Sequence, residues 1–169
     1  MTENFLTKLF EHNIWANDKI IQVCATLSDE QLDAEPQSAT QGSIRSTLLH
    51  LVSSQRGYLA LLTLPVEARP TTPLAFTELQ ESARISGEGL LTFARDESVS
   101  PMKTRLQTRD GFLVEPWVVM VQIINHATEH REQIKSMLSF LGATSPEIDG
   151  WDYGTFTNAL IPISTLSNG

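Results

Sequence analysis

Residues 116–142, PWVVMVQIINHATEHREQIKSMLSFLG, decide the fold. Proline opens the stretch at the position of a first helical residue, where a missing N–H costs nothing, and Gly142 closes it where a left-handed residue ends a helix. No breaker lies between, so Trp117 to Leu141 reads as one long helix. At about 100° per residue, Val119, Ile123, His126, His130, Gln133 and Met137 share a face. Two of the chain's four histidines thus stand four residues apart on the core side of one helix.

Upstream, MKTRLQTRDGFLVEPW sets Asp110 and Gly111 between two short segments, the signal for a two-residue β-hairpin turn. A third helix is predicted from a capping box at Thr77 and Gln80 to about Asp96, with Leu79, Ala83, Leu90 and Phe93 inward and Gly87 and Gly89 weakening it. Before it runs a Pro-rich loop, PVEARPTTP, and before that a second helix from an N-cap at Ser43 to Pro65. Ser28 and Gln31 have capping-box spacing for an extra turn that Pro36 stops; the residues from there to Ser43 read as loop. In the first helix, Phe5, Leu9, His12, Ala16, Ile20, Val23 and Leu27 recur at steps of three and four, an amphipathic pattern facing a core.

Four helices, no internal repeat and one small hairpin before the last helix imply an all-α four-helix bundle. With 169 residues, 41% hydrophobic and 19% charged, the chain has the composition of one globular domain. The bundle is assigned to residues 1–153 and a tail to 154–169; the stretch after Gly142 reads either as an irregular cover or as a subunit contact.

A net charge of −8 with no concentrated Lys or Arg lacks the footprint of a phosphate-backbone binder, so no nucleic-acid partner is expected. The single cysteine, Cys24, rules out an intrachain disulfide, fits a reducing compartment and reads as a small core residue. No 18-residue apolar run and no signal-like start occur, so a cytoplasmic location without membrane attachment is expected.

Two imidazoles on a buried face need something to accept their lone pairs or pay a desolvation penalty, and a divalent metal does this directly. Three histidines with an open position make a reactive site rather than a closed structural one. His50, midway along the second helix beside Thr47, Ser54, Gly57 and Tyr58, supplies the third. His12 is the remaining candidate, as a fourth ligand or a hydrogen-bonding group toward substrate. HATEH also matches the H-x-x-E-H zinc-peptidase pattern, which makes Glu129 a candidate general base; its other reading is a solvated partner of Arg131 or Lys135. Ser or Cys nucleophile motifs and Gly-rich phosphate loops are absent.

IWAN at 14–17, STLLHLV at 46–52, the Asp-Gly hairpin before Pro-Trp, and NHATEHREQI running on to LGATSPEID resemble, in that order, the DinB/YfiT-like family of metal-binding four-helix bundles. The resemblance covers about residues 4–153. It implies a long crossover between the second and third helices, a homodimer, and a divalent metal held by His50, His126 and His130, with Arg131 and Gln133 supporting them. It also implies activation of a low-molecular-weight thiol, or of water, for transfer to or hydrolysis of a small electrophilic substrate. A non-catalytic metal-binding or stress-response bundle is the alternative. Zinc or nickel is the expected metal, with iron or manganese next. Relatives usually carry Tyr where this chain has His12.

Overall fold

In the computed structural model, residues 4–36, 42–95 and 105–163 are described. Four helices build the bundle: α1 (Phe5–Cys24), α3 (Ile44–Thr63), α4 (Leu79–Arg95) and α5 (Pro116–Phe140). Two short ones flank them, α2 (Asp29–Asp33) and α6 (Gly150–Phe156). Strands β1 (Leu106–Gln107) and β2 (Leu113–Val114) pair antiparallel, Leu106 opposite Val114 and Gln107 opposite Leu113. No helix among the described residues is long and apolar enough to cross a membrane.

Local chemistry sets most of the helix ends. Ser43 accepts from the Ser46 amide at the start of α3, and Ser28 and Gln31 form a complete reciprocal capping box on α2. At the other end of α5, Gly142 adopts φ +69°, the Gly142 amide donates to Ser139 and the Ala143 amide to Leu138, closing the last carbonyls in a Schellman arrangement. Thr77 does not cap α4. It lies inside a 3-10 turn, Phe76–Glu78, that runs directly into the helix, so the chain has already turned before Leu79. Gly89 has a packing reason: a Cβ there would stand 2.5 Å from Leu59, so α4 approaches α3 at this point through its absence.

The hairpin also differs from expectation. A two-residue turn of the favoured type needs positive φ at both central residues, but only Gly111 has it (φ +92°). The Gly111 amide donates to the Thr108 carbonyl and the Thr108 amide to Phe112, so the connection is a type I turn followed by a left-handed glycine.

Around the bundle, α1 packs on α4 and α5, and α3 packs on the same two helices. Helices α1 and α3 therefore lie across the diagonal, with the residue 64–78 connection carrying the chain from α3 to α4. One core cluster centres on Ile20, Ile44, Leu48, Val52, Ile134 and Leu138; the other joins Phe10, Leu90, Val119 and Ile123. Cys24 sits in the first, as a core residue whose thiol burial pushes up to about 12.

The buried face of α1 is not the one its apolar spacing indicates. Phe5 is 75% exposed, while Phe10, Asn13, Asn17, Ile21 and Cys24 join Ala16 and Ile20 inside. Two asparagines take core positions because a buried cation on α5 needs their oxygens. Arg131 is only 3% exposed, and its guanidinium donates to Asn13 Oδ1 and Asn17 Oδ1, each at 2.7 Å. The Asn17 amide then donates to Gln55 Oε1 across the diagonal (2.8 Å), and the Gln55 amide to Ser86 Oγ (2.8 Å). This chain of buried polar groups joins all four bundle helices.

Candidate metal centre

The mean buried direction of α5 runs through Ile123, Ala127 and Ile134, which leaves His126 and Gln133 on the flank beside α3. His50 meets them there from α3. The His126 and His50 Nε2 atoms are 3.0 Å apart, and those of His130 and His126 are 3.1 Å apart. One ligand atom from each of the three rings lies within 4.8 Å of the others, so the group could hold a metal ion. His130 is buried, His126 half-buried and His50 more open, giving the cluster a closed back and an accessible front.

The chemistry of the donor set fits a cation. His130 Nδ1 stands 2.7 Å from Gln133 Oε1; an amide oxygen only accepts, so Nδ1 carries the proton and the Nε2 lone pair faces inward. His126 Nε2 has a ring nitrogen on either side and carries either a proton or a lone pair, so with His130 Nε2 unprotonated it cannot complete a normal hydrogen bond to both neighbours, and one of the two close contacts is left for a cation to satisfy. A tetrahedral ion with metal–nitrogen bonds of 2.0–2.1 Å separates its ligands by about 3.3 Å, close to the spacing here. Protonation does not compete strongly. Burial, then the neighbouring His130 and His50, push the His126 imidazole from its ordinary 6.5 down to about 4, and burial followed by His130 lowers His50.

Gln133 and Arg131 support this arrangement in different ways. Gln133 fixes the tautomer and tilt of His130. Arg131, next in sequence to His130, ties α5 to α1 and also donates to Thr128 Oγ1 (3.1 Å); burial lowers its guanidinium to about 10. Tyr58, two turns along α3 from His50, sets its ring edge-on to His126 at 5.6 Å between centroids, and its hydroxyl accepts from Gln122 (3.4 Å).

Two candidate residues stand apart from the three histidines. His12 is not brought to them as a fourth ligand: its Nε2 is 2.9 Å from the Ile148 carbonyl, and its ring lies against Trp15 and Tyr153. There it fastens the segment after α5, including α6, back onto α1. This is also where the stretch left unassigned by the sequence packs, as a short helix with Tyr153 and Phe156 on Trp15. Glu129 is exposed and outside the ligand group, roughly 100° around α5 from His130. It is not the partner of Arg131, which bonds to asparagines, nor of Lys135, which pairs with Glu132 (3.4 Å).

The DinB family model matches residues 1–161. The chain belongs to the DinB family. Within it, Protein DinB of Bacillus subtilis (strain 168) is similar, with 26% identity over 166 residues, covering 90% of this chain and 94% of the relative. A DinB-like protein from Bacillus cereus ATCC 10987, known as a crystal structure, matches with a TM-score of 0.60 at 16% identity, covering 88% of this chain and all of that one. At that identity the second likeness is one of fold. It shows that the overall fold described above is shared with a DinB-like protein.

Replacing Gln133 by Leu removes the acceptor for His130 Nδ1 while keeping a side chain of similar size. Metal affinity is expected to fall 10- to 100-fold with little change in folding, read by competition with a chelating dye; an unchanged affinity would show that Gln133 does not orient the ring.

Proposed function

We propose that this DinB-family chain is a metal-dependent enzyme that acts on a small electrophilic substrate, transferring a low-molecular-weight thiol to it or hydrolysing it. The convergence of three histidine Nε2 atoms from two helices carries the reading. His50, His126 and His130 are the ligands in it, with zinc or nickel the preferred ions and iron or manganese next. A divalent ion bound by neutral imidazoles keeps its full charge and supplies the Lewis acidity that brings the pKa of water or a thiol toward neutrality.

The protein's own groups do the rest. His130, held by Gln133, presents a fixed lone pair; the buried back of the site keeps water to one side; and the Tyr58 hydroxyl, accepting from Gln122, keeps its own proton available at the front. His12 and Glu129 take no part in this reading, since neither reaches the group.

Assay of the metal-loaded protein with thiol plus a chromogenic aryl halide, and separately with an activated ester, tests the reading. Turnover in one assay that disappears in a folded His126→Ala variant is expected. Stoichiometric metal with no turnover in either would assign the chain to the non-catalytic metal-binding alternative.

In the same reading the protein is cytoplasmic, its one thiol unpaired, and acts as a homodimer. The strip formed by Trp117 (51% exposed), Val118 and Val121 on the flank of α5 away from the histidines is the contact we assign to the dimer. Val121→Lys is expected to shift the sedimenting species from dimer to monomer; a monomeric parent protein would remove the assignment.

A further inference from the structure

Beside the histidines lies a cavity of about 290 Å³ between α3, the 64–78 connection and the hairpin tip. Ser54, Gly57, Tyr58, Arg69, Thr108 and Arg109 are among the residues that line it. Tyr58 links it to the site, its ring against His126 on one side and lining the cavity on the other, and Ser54 lies one helical turn, about 5.4 Å, beyond His50. No Asp or Glu is among the described lining residues, in a chain of net charge −8.

The two arginines there differ from most others in the chain. Arg45, Arg84, Arg95 and Arg105 are each paired with a carboxylate. Arg69 instead donates to the Leu64 carbonyl (3.1 Å) and the Gln107 carbonyl (2.7 Å), and Arg109 to the carbonyls of Arg69 (2.5 Å) and Pro70 (3.4 Å). These bonds hold both guanidinium groups at the cavity without neutralising them. A guanidinium has five N–H donors, and two are used in each case, so each arginine keeps three. Backbone carbonyls fix the direction of a fork that matches an oxyanion, and the hydroxyls of Ser54 and Tyr58 add uncharged donors. On the opposite wall Gly57 has no atom within 4 Å of where a Cβ would be, so nothing in the protein fills that space.

We infer that Arg69 and Arg109 form a subsite for an anionic group of the substrate, a carboxylate or a phosphate, while the reacting end lies at the histidines. The inference rests on the proposed metal-dependent reaction for the meaning of "substrate", but the anion site itself is independent of the metal. The substrate class is narrowed accordingly: a small electrophile or thiol carrying an acidic group, of a size suited to a pocket near the lower end of the usual range for ligands.

Calorimetric titration of the full-length protein, metal-free and zinc-loaded, with succinate, glycerol 3-phosphate and the neutral succinamide tests this. Saturable binding of an acidic probe without binding of succinamide is expected, and the tighter of the two acids tells carboxylate from phosphate. Arg69→Gln and Arg109→Gln should each weaken binding about tenfold, the loss of one charge-assisted contact. Gly57→Leu, at an exposed position with open space, should abolish binding by filling the cavity. Zinc stoichiometry should be unchanged in all three variants. Failure of both acids to bind, or equal affinity in the Arg69→Gln/Arg109→Gln double variant, would overturn the subsite. Acid binding in a protein that takes up no zinc would sustain it while removing the metal reading.

Discussion

Purified without a histidine tag, the protein is expected to carry about one divalent metal per chain, and His50→Ala and His126→Ala are each expected to lose it. The two residues come from different helices, and their Nε2 atoms are 3.0 Å apart. If one ion bridges them, deleting either leaves two imidazoles, and the loss of affinity should exceed the 10- to 100-fold typical for removing a merely supporting group. Both are partly exposed, so neither substitution opens a core cavity and circular dichroism should remain that of the parent. Elemental analysis checks the prediction, and metal retained at full stoichiometry in either variant would defeat the shared site.

The same experiment has a pH arm. Lowering the free-protein pKa of His126 to about 4 means that protons displace a metal from that ring only well below neutrality, so binding should survive to lower pH than ordinary imidazoles at 6.5 would permit. The sign for stability is the opposite of a salt-bridged histidine. Because the unfolded ring binds a proton below 6.5 and the folded one does not, the metal-free protein should lose stability as pH falls from about 6.5 to about 4.

A larger structural effect is expected at Arg131. Truncation to Ala removes a buried side chain that serves Asn13, Asn17 and Thr128 at once, leaving two buried carbonyl oxygens without donors and a void between α5 and α1. Unsatisfied buried acceptors cost about 1–3 kcal/mol each, and disrupting a buried charged network about 3–5 kcal/mol in total. Urea unfolding should therefore show Arg131→Ala destabilised by about 3–5 kcal/mol, with Arg131→Lys intermediate because an ammonium cannot reproduce the planar fork. A loss below about 1 kcal/mol would mean the asparagines find other partners, and the network would not be what sets the rotation of α1.

That network also marks where sequence reading stops. The spacing of apolar residues on α1 favours Phe5 and Leu9 as core, yet Asn13 and Asn17 are inside and Phe5 outside. Hydrophobic periodicity scores asparagine as a surface residue and cannot know that an arginine more than 100 residues later needs two amide oxygens. His12 stands apart from the three histidines for a related reason. It is on the inward half of α1 by spacing, but whether it meets the other histidines depends on which helix lies beside it, and its side is covered by Ile148 and α6. The hairpin was legible as a hairpin from Asp-Gly, whereas its turn type depended on a single φ angle.

Local signals were sufficient for what depends only on neighbours along the chain. Caps at Ser28 and Ser43, the terminating Gly142, the long final helix, and the placement of His126 and His130 on one side of it are properties of a few consecutive residues, and elementary helix geometry fixes them. His50 was legible as a third histidine in the middle of the second helix, and the family pattern matched it to the same role. Tertiary structure alone decided that α1 and α3 lie across the diagonal, that α3 turns His50 toward α5, that Arg131 is buried among asparagines, and that Arg69 and Arg109 line one cavity with Tyr58. Periodicity specifies a face but not what it faces; that choice belongs to the packing of whole helices, whose rotations are set together by the polar groups that must be satisfied once water has left the core.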